Sequence, residues 1–208
     1  GLTEPALRRA MTDLAARSTS IDPDAVFLGA GAYAHVAPTV VNQILLRSEF
    51  ATAYTPYQPE VSQGTLQAIF EFQTFAALLL GLDVANASMY DGASALAEAV
   101  LMARRLRPGR KDVLVSRGVH PHYREAIATY VQGLPDVCLR EIPLGADGRT
   151  DGQALGGMLG DEALCVVAGY PNVLGIVEDL AQLATAAHGV GALMVSATPE
   201  PLALAYLR

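Results

Sequence analysis

Short hydrophobic runs alternate with helically spaced hydrophobic positions along the second half of the chain. The runs are rich in Val, Ile and Leu, as strands buried on both faces are. They predict five strands, Val84–Tyr90, Asp112–Ser116, Val137–Ile142, Leu164–Gly169 and Ala192–Ser196. Apolar residues three or four positions apart predict helices over 93–106, 121–132 and 176–188. Strands that alternate with crossover helices predict an α/β fold, a doubly wound, mostly parallel sheet with flanking helices.

The first part of the chain is dominated by helical patterns. Residues Glu4–Arg17 carry apolar side chains on one face with arginines between them, which predicts an amphipathic helix. Residues 37–48 have a similar pattern. Residues Gln63–Leu80 are apolar on more than one face, which predicts a helix buried from both sides. By contrast, Gly145–Gly157 contains Asp-Gly and Gly-Gly pairs and predicts an exposed loop.

Charge and hydrophobicity limit the possible classes of function. The 208 residues include 14 Lys and Arg against 21 Asp and Glu, a net charge of −7, which argues against nucleic-acid binding. At 51% hydrophobic and 17% charged residues, the chain has apolar surface to spare for another chain. Its apolar runs are far shorter than the roughly 20 residues of a membrane span. We expect Cys138 and Cys165 to be buried thiols in a reducing, cytoplasmic setting.

Ligands of such sheets bind where the strands end, so candidate chemistry is sought there. The candidates are Asp91–Ser94, Ser116–His120, Pro171-Asn172 and Ser196–Glu200. The backbone amides of Gly92, Ala93 and Ser94 can hold a phosphate at the start of a helix. Asp91 can instead cap that helix, and helix-end electrostatics favour the cap. The same turn resembles the nucleophile elbow of a serine hydrolase using Ser94, but Leu96 stands where a second glycine is required.

The remaining short motifs carry weaker signals. Without a third ligand, His120 and His122 do not make a metal site, and one of them can face the cleft as a stacking or acid–base group. Gly29–Gly31 is half of a dinucleotide fingerprint and predicts a hinge turn. The single lysine, Lys111, precedes the second predicted strand, on the side away from the cleft.

The loop of residues 53–64 is unusual in composition. It contains two tyrosines, two prolines and two glutamines, which suits a recognition surface. An ordinary connector stiffened by proline has the same composition, so both interpretations stay open.

Four longer motifs, taken in order, resemble the glycine decarboxylase P-protein of the glycine cleavage system. They are Phe50–Gly64, Asn86–Glu98, Val119–Pro121 and Tyr170–Asp179. The resemblance extends from about Phe27 to Arg208. It is strongest to the α chain (subunit 1) of the two-chain bacterial form, or to the N-terminal half of the fused form.

This resemblance implies a fold-type I pyridoxal-phosphate (PLP) transferase-like architecture. The implied reaction is that of glycine dehydrogenase, the oxidative decarboxylation of glycine with aminomethyl transfer to the lipoyl group of H-protein. In the family, the β subunit of an α2β2 heterotetramer bears the PLP lysine. Two departures here agree, since Lys111 is misplaced and Ser196-Ala197-Thr198 stands where the family of folds places an aspartate. The chain is therefore expected to be a non-catalytic partner.

The resemblance also assigns candidate site residues. The substrate-pocket and interface residues are Tyr54, Thr55, Tyr57, Gln58 and His35. The residues of a vestigial cofactor side are Gly92, Ala93, Ser94 and His120. No metal ligands are implied.

Finally, the resemblance divides the chain into residues 1–64, with N-terminal helices and the interface loop, and residues 65–208, a partial large α/β domain. The family continues into two further strands that lie between the first strand and the rest, so the sheet is expected to be incomplete at the C-terminus. We expect this piece alone to be marginally stable or to aggregate. A rival interpretation is a self-sufficient aminotransferase or lyase of the same fold whose lysine lies beyond residue 208.

Overall fold

A four-stranded parallel sheet forms the centre of the second half of the chain. The computed structural model describes residues 1–18, 27–31, 33 and 35–206. The strands are β1 (Asp112–Ser116), β2 (Cys138–Ile142), β3 (Ala163–Gly169) and β4 (Leu193–Ala197). They lie in the order β2-β1-β3-β4, and each neighbouring pair is parallel. For these four strands, the bounds agree with the sequence prediction to within one residue.

Helices precede the sheet and connect its strands. They are α1 (Glu4–Ala16), α2 (Thr39–Leu45), α3 (Ser48–Ala51), α4 (Gln63–Leu80), α5 (Gly92–Leu106), α6 (Pro121–Val131), α7 (Gly152–Met158) and α8 (Leu180–Gly189). Two short 3₁₀ helices follow Gln58 and Glu200, over Pro59–Val61 and Pro201–Tyr206. None of the helices in the described part of the chain has both the length and the hydropathy that a membrane span requires.

The sheet is covered on both faces, as a doubly wound fold requires. Val113 and Val115 of β1 face α5 and α6, and their neighbour Leu114 faces α7 and α8. This alternation follows from the two-residue period of a strand. Every residue of β3 is buried. Each fully buried Val, Leu or Ile stabilises the fold by about 1.5–3 kcal/mol.

The two edges of the sheet differ in chemistry. The edge strand β2 carries charged side chains, with Arg140 donating to Asp112 of β1 at 2.8 Å. Glu141 of β2 pairs with Arg117 at 2.9 Å and also with Arg124. The hydrogen bond from Arg117 lowers the pKa of Glu141. The opposite edge, β4, has the sequence Leu-Met-Val-Ser-Ala and no charged side chain.

The strand predicted over Val84–Tyr90 is not formed. Val84 and Tyr90 are exposed, and the side-chain amide of Gln73 in α4 donates to the carbonyl of Ala85 at 2.8 Å. A strand needs a neighbouring strand to pair its backbone groups. Within the described residues, none of the four strands pairs with this segment. This apolar, β-prone segment therefore has no neighbouring strand within the described residues with which to pair its backbone.

The segment Gly145–Gly157 is not the exposed loop that its glycines predict. It ends in helix α7, and Leu155 of that helix is fully buried in the core beneath the sheet. The carboxylate of Asp151 caps the helix by accepting the backbone N–H groups of Gln153 and Ala154. Helix capping and one buried leucine outweigh the flexibility of Gly152, Gly156 and Gly157.

Helix α4 has the predicted bounds but not the predicted burial. None of its residues is buried, and Phe75 and Leu78 are 67% and 74% exposed. The apolar faces are present, but no element of the described chain covers them. The helix predicted over 37–48 is interrupted, because α2 ends at Leu45 and α3 begins at Ser48.

The two cysteines lie in different environments. Cys165 in β3 is buried, as expected, and burial raises the pKa of its thiol to about 12. The same expectation was wrong for Cys138, which is exposed because it begins the edge strand β2. Both thiols are free.

Candidate functional site

A cavity of about 330 Å³ opens at the carboxyl edge of the sheet, beyond the ends of β1, β3 and β4. This is the edge at which doubly wound proteins bind ligands. The N-terminal segment and the loops after these strands line the cavity, which we call the edge pocket. Its lining includes Tyr33, Gly118, His120, Tyr123, Asn172 and Pro199. Three of the four candidate segments that follow predicted strands therefore meet here.

His120 faces the edge pocket from the start of α6. It is the N-cap of that helix, and its Nδ1 accepts the backbone N–H of His122 at 3.2 Å. An accepting nitrogen carries no proton, so the neutral ring has its proton on Nε2. The ring centroids of His120 and Tyr123 are 5.6 Å apart. Of the two histidines, His120 is the one that lines the pocket.

A helix cap closes the start of α5. Asp91 Oδ1 accepts the backbone N–H of Ser94 at 2.7 Å, and Ser94 Oγ accepts the N–H of Asp91 at 3.3 Å. The bond from the Ser94 N–H lowers the pKa of Asp91. A Cβ placed on Gly92 would stand 2.2 Å from the Tyr123 hydroxyl, so this hydroxyl lies against the first turn. The capping interpretation is confirmed.

The cap argues against the two other predicted roles of this turn, which are phosphate binding and nucleophilic catalysis. The carboxylate of Asp91 repels an anion that approaches the amides of Gly92, Ala93 and Ser94. The Ser94 hydroxyl donates to the Asp91 carbonyl at 3.1 Å, so it belongs to the cap. The geometry therefore gives no support to Ser94 as a hydrolase nucleophile.

The residues at this edge do not fit PLP. Such enzymes hold the cofactor with a Schiff-base lysine and an acidic partner for the ring nitrogen. Lys111 lies at the amino edge of the sheet, where its Nζ is 3.0 Å from Glu162 Oε1. At the carboxyl end of β4, the hydroxyl oxygens of Ser196 and Thr198 lie 3.1 Å apart in the position expected for the acidic partner.

A polar contact lies next to the pocket, between neighbours of the lining residues Tyr33 and Pro199. His35 Nε2 lies 3.1 Å from Glu200 Oε1, and His35 Nδ1 lies 3.2 Å from the Tyr33 carbonyl. The hydrogen bond with Glu200 raises the pKa of His35. The Leu202 backbone N–H, 2.9 Å from Glu200 Oε1, and then His35 lower the pKa of Glu200. We call this contact the mouth clasp; it joins two segments that line the pocket.

The predicted interface loop lies elsewhere on the surface. Tyr54 and Tyr57 are 82% and 78% exposed, and their ring centroids are 6.2 Å apart. The backbone N–H of Tyr57 donates to the Thr55 carbonyl at 2.8 Å. Neither tyrosine, nor Thr55 or Gln58, lines the edge pocket. The structure thus brings His120 to the pocket and His35 next to it, but it does not bring the loop there.

Sequence patterns did not single out two polar residues beneath the pocket, Thr150 and Glu178. Both are buried and share hydrogen bonds with Ser116 and Asn172, which belong to the candidate segments and are also buried. Glu178 lies inside the motif Tyr170–Asp179, but nothing local shows that its carboxylate is buried. Among the described residues, no group of three or more His, Cys, Asp and Glu is placed to hold a metal ion.

Comparison with known proteins gives a consistent family. The family model described as "Glycine cleavage system P-protein" matches residues 1–208. A protein named "Probable glycine dehydrogenase (decarboxylating) subunit 1" from Anaeromyxobacter dehalogenans strain 2CP-1 is 53% identical over 205 residues. A protein with the same name from Sorangium cellulosum is 52% identical over 208 residues. In both cases the match covers 99% of this chain but only 45% of the relative, so the chain spans about half their length.

Solved structures agree. A glycine decarboxylase (P-protein) of the glycine cleavage system in inhibitor-bound form has a TM-score of 0.89 and 48% identity. That match covers 100% of this chain and 45% of the other. A sphingosine-1-phosphate lyase from Burkholderia pseudomallei has a TM-score of 0.66 at 13% identity, over 94% of this chain and 47% of that one. This more distant likeness shows the fold-type I architecture alone.

Proposed function

The chain belongs to the glycine cleavage system P-protein family, and from that premise we propose that it is part of subunit 1 of a glycine dehydrogenase (decarboxylating). The proposed reaction is the oxidative decarboxylation of glycine, with transfer of the aminomethyl group to the lipoyl group of H-protein. PLP supplies the electron sink for loss of the carboxylate. In this proposal a β subunit holds PLP, and two chains of each kind form an α2β2 heterotetramer.

One observation above all supports the assignment of PLP to the partner subunit rather than to this chain. The start of α5, where a phosphate would sit, already holds the Asp91 carboxylate and the Tyr123 hydroxyl. The misplaced Lys111 and the hydroxyls of Ser196 and Thr198 point the same way. A chain with this edge contributes structure and an interface rather than the Schiff base.

The exposed loop supplies the proposed contact with the partner's site. Tyr54 and Tyr57 present two phenol groups to solvent within 6.2 Å of each other, with Thr55 and Gln58 beside them. Phenols combine an apolar ring with a polar tip and are common at interfaces. We propose that this loop, with His35 as a weaker contributor, closes the glycine pocket across the subunit interface. The free, exposed thiol of Cys138 suits a reducing compartment, which supports a cytoplasmic location.

The first test concerns the cofactor. The complete subunit, alone and then with its partner, is titrated with PLP while the imine absorption band is followed. We expect no band from this subunit alone, and a band together with glycine decarboxylation when the partner is present. A borohydride-reducible imine on this subunit alone would favour the self-sufficient PLP enzyme instead.

The second test concerns the loop. In the assembled enzyme, Tyr54→Phe and Tyr57→Phe should each lower turnover by about five- to tenfold, the effect of losing one hydrogen bond to the substrate. Tyr130→Phe is the matched control, because Tyr130 is also a partly exposed phenol but lies on α6. Equal kinetics for all three variants would remove the loop from the proposed pocket.

A further inference from the structure

A buried carboxylate lies directly beneath the edge pocket. Glu178 is only 5% exposed. Its partners among the described residues are all neutral donors. They are the Thr150 backbone N–H at 3.0 and 3.1 Å, the Thr150 hydroxyl at 3.0 Å and the Asn172 side-chain amide at 2.9 Å. A carboxylate removed from water is strongly unfavourable unless such donors replace the lost solvent.

One arm of this network runs to the loop that follows β1. The Gly118 N–H donates to Ser116 Oγ at 3.0 Å, and Ser116 Oγ lies 2.7 Å from Thr150 Oγ1. The Thr150 hydroxyl in turn donates to Glu178. An amide N–H can only donate and an ionised carboxylate can only accept, so every hydroxyl in the arm must point the same way. Chains of this kind strengthen their members cooperatively.

The other arm fixes the loop that follows β3. The Asn172 amide donates to Glu178 and to the Gly148 carbonyl, both at 2.9 Å. Its Oδ1 accepts the N–H groups of Leu174 and Ile176 at 3.0 and 3.2 Å. The side chain is fully buried, so these bonds have no competition from water.

The two arms meet at the floor of the pocket. Gly118 and Asn172 both line it, and Gly118 lies two residues before His120. The Val173 N–H donates to the Gly118 carbonyl at 2.7 Å, and a Cβ on Gly118 would stand only 3.0 Å from Asn172 Cβ. We propose that Glu178 is the positioning residue of the edge pocket, through which one buried carboxylate fixes both the loop that carries His120 and the loop that carries Asn172.

The test separates positioning from simple stability by cutting the arm that runs through Thr150 and, separately, by altering Glu178 itself. Thr150→Val removes the hydroxyl that links Glu178 to Ser116 but keeps the shape and the backbone N–H. Thr150→Ser keeps that hydroxyl and is the matched control. Glu178→Gln replaces one accepting oxygen with a donating amide. At the Oε2 position this amide opposes the Thr150 N–H, and at the Oε1 position it also opposes the Thr150 hydroxyl and the Asn172 amide. All variants are made in the complete subunit assembled with its partner.

The readout is hydrogen–deuterium exchange at the imidazole Cε1 of each histidine, followed by mass spectrometry beside a thermal melt. We expect Thr150→Val and Glu178→Gln to speed exchange at His120 by about fivefold, the population change that one lost hydrogen bond produces. Thr150→Ser should match the wild type. His188, at the C-terminal end of α8, should be unchanged in all variants.

Two outcomes decide the matter. Faster deuterium exchange at His120 in Thr150→Val, together with a wild-type exchange rate in Thr150→Ser, supports the proposal. Lower melting temperatures with His120 unchanged in every variant overturn it, because the network then stabilises the fold without orienting the pocket. An effect on glycine turnover rests additionally on the proposed function. Because the proposed function gives the edge pocket no direct part in turnover, altered His120 exchange with unaltered turnover supports the positioning and leaves that function untouched. Loss of PLP binding or decarboxylation by the assembled wild-type complex would count against the function and not against the positioning.

Discussion

The two halves of this chain have similar apolar patterns but opposite burial. Among the described residues, every buried hydrophobic side chain lies at or after Leu96. In the first half, α1, α2 and α4 contain no buried residue, although Met11, Ile44 and Phe75 belong to their apolar positions. The difference teaches that an apolar pattern predicts a helical face suited to burial, but it does not identify the element that buries this face. The sheet half covers its own apolar positions, and the helical half leaves its apolar faces exposed within the described part of the chain.

The sharpest contrast compares one leucine from each half. Leu114 is fully buried between β1 and helices α7 and α8, so Leu114→Ala should lower the free energy of unfolding by about 2–5 kcal/mol. Leu78 on α4 is 74% exposed, and Leu78→Ala should change it by less than about 0.5 kcal/mol in the 208-residue chain. Urea denaturation of both variants measures the two values.

The same pair also tests what covers α4. In the proposed complex with the partner subunit, Leu78→Ala should become destabilising if the helix is covered there, whereas the effect of Leu114→Ala should not change. Equal effects of the two substitutions in the isolated chain would contradict the contrast between the halves.

A second prediction concerns the junction between the halves, at the start of α5. Gly92→Ala places a methyl group 2.2 Å from the Tyr123 hydroxyl, and such overpacking should destabilise the chain by about 1–3 kcal/mol. Tyr123→Ala in the same chain should relieve the clash, so the two substitutions together should be less harmful than their sum. A thermal-melt double-mutant cycle with additive effects would show that the hydroxyl does not lie against Gly92.

The smallest expected effect is the pH dependence of the mouth clasp, which ties the N-terminal half to the loop after β4. The pKa of His35 is raised above 6.5, so its contribution is complete below that value and is lost as pH rises through the raised pKa. The pKa of Glu200 is lowered below 4.5, so its contribution is complete above 4.5 and is lost as pH falls through the lowered pKa. The mouth clasp should therefore be most stable between pH 4.5 and pH 6.5.

Protease cleavage near His35, measured across pH, checks this prediction. Cleavage should be slowest between pH 4.5 and pH 6.5, and it should become faster as pH rises through the raised pKa of His35. His35→Gln should remove most of the alkaline increase, because it cannot lose a proton. A flat profile for the unmodified chain would mean that the clasp does not hold the segment.

Sequence reasoning recovered the parts of the structure that local patterns determine. Four strands follow from β-prone runs such as Leu164–Gly169, and the cap at Asp91 follows from helix-end electrostatics. The strand expected at Val84–Tyr90 failed because pairing requires a neighbour, which no local pattern supplies. Helix α7 was missed because glycines obscured the contribution of Leu155.

The candidate site divides in the same way. His120 was found because strand ends can be located along the sequence, and the family motif then marks it. Tyr123 was not singled out within its predicted helix, although its hydroxyl lies against Gly92. Glu178 was missed because its hydrogen-bonded partner Thr150 is 28 residues away in sequence. Contacts over such separations are set by the topology, and the amino-acid pattern near either residue does not reveal them.

The two edges of the sheet differ in how readily they can accept a further strand. Along β2, the charged pairs Arg140–Asp112 and Glu141–Arg117 discourage another strand from docking. Along β4, nothing charged opposes one. We therefore expect a strand added to this sheet, from the same polypeptide or from a neighbouring molecule, to add beside β4. Misassembly of the isolated piece should begin there too, so a lysine introduced on the outer side of β4 is the simplest way to keep it monomeric.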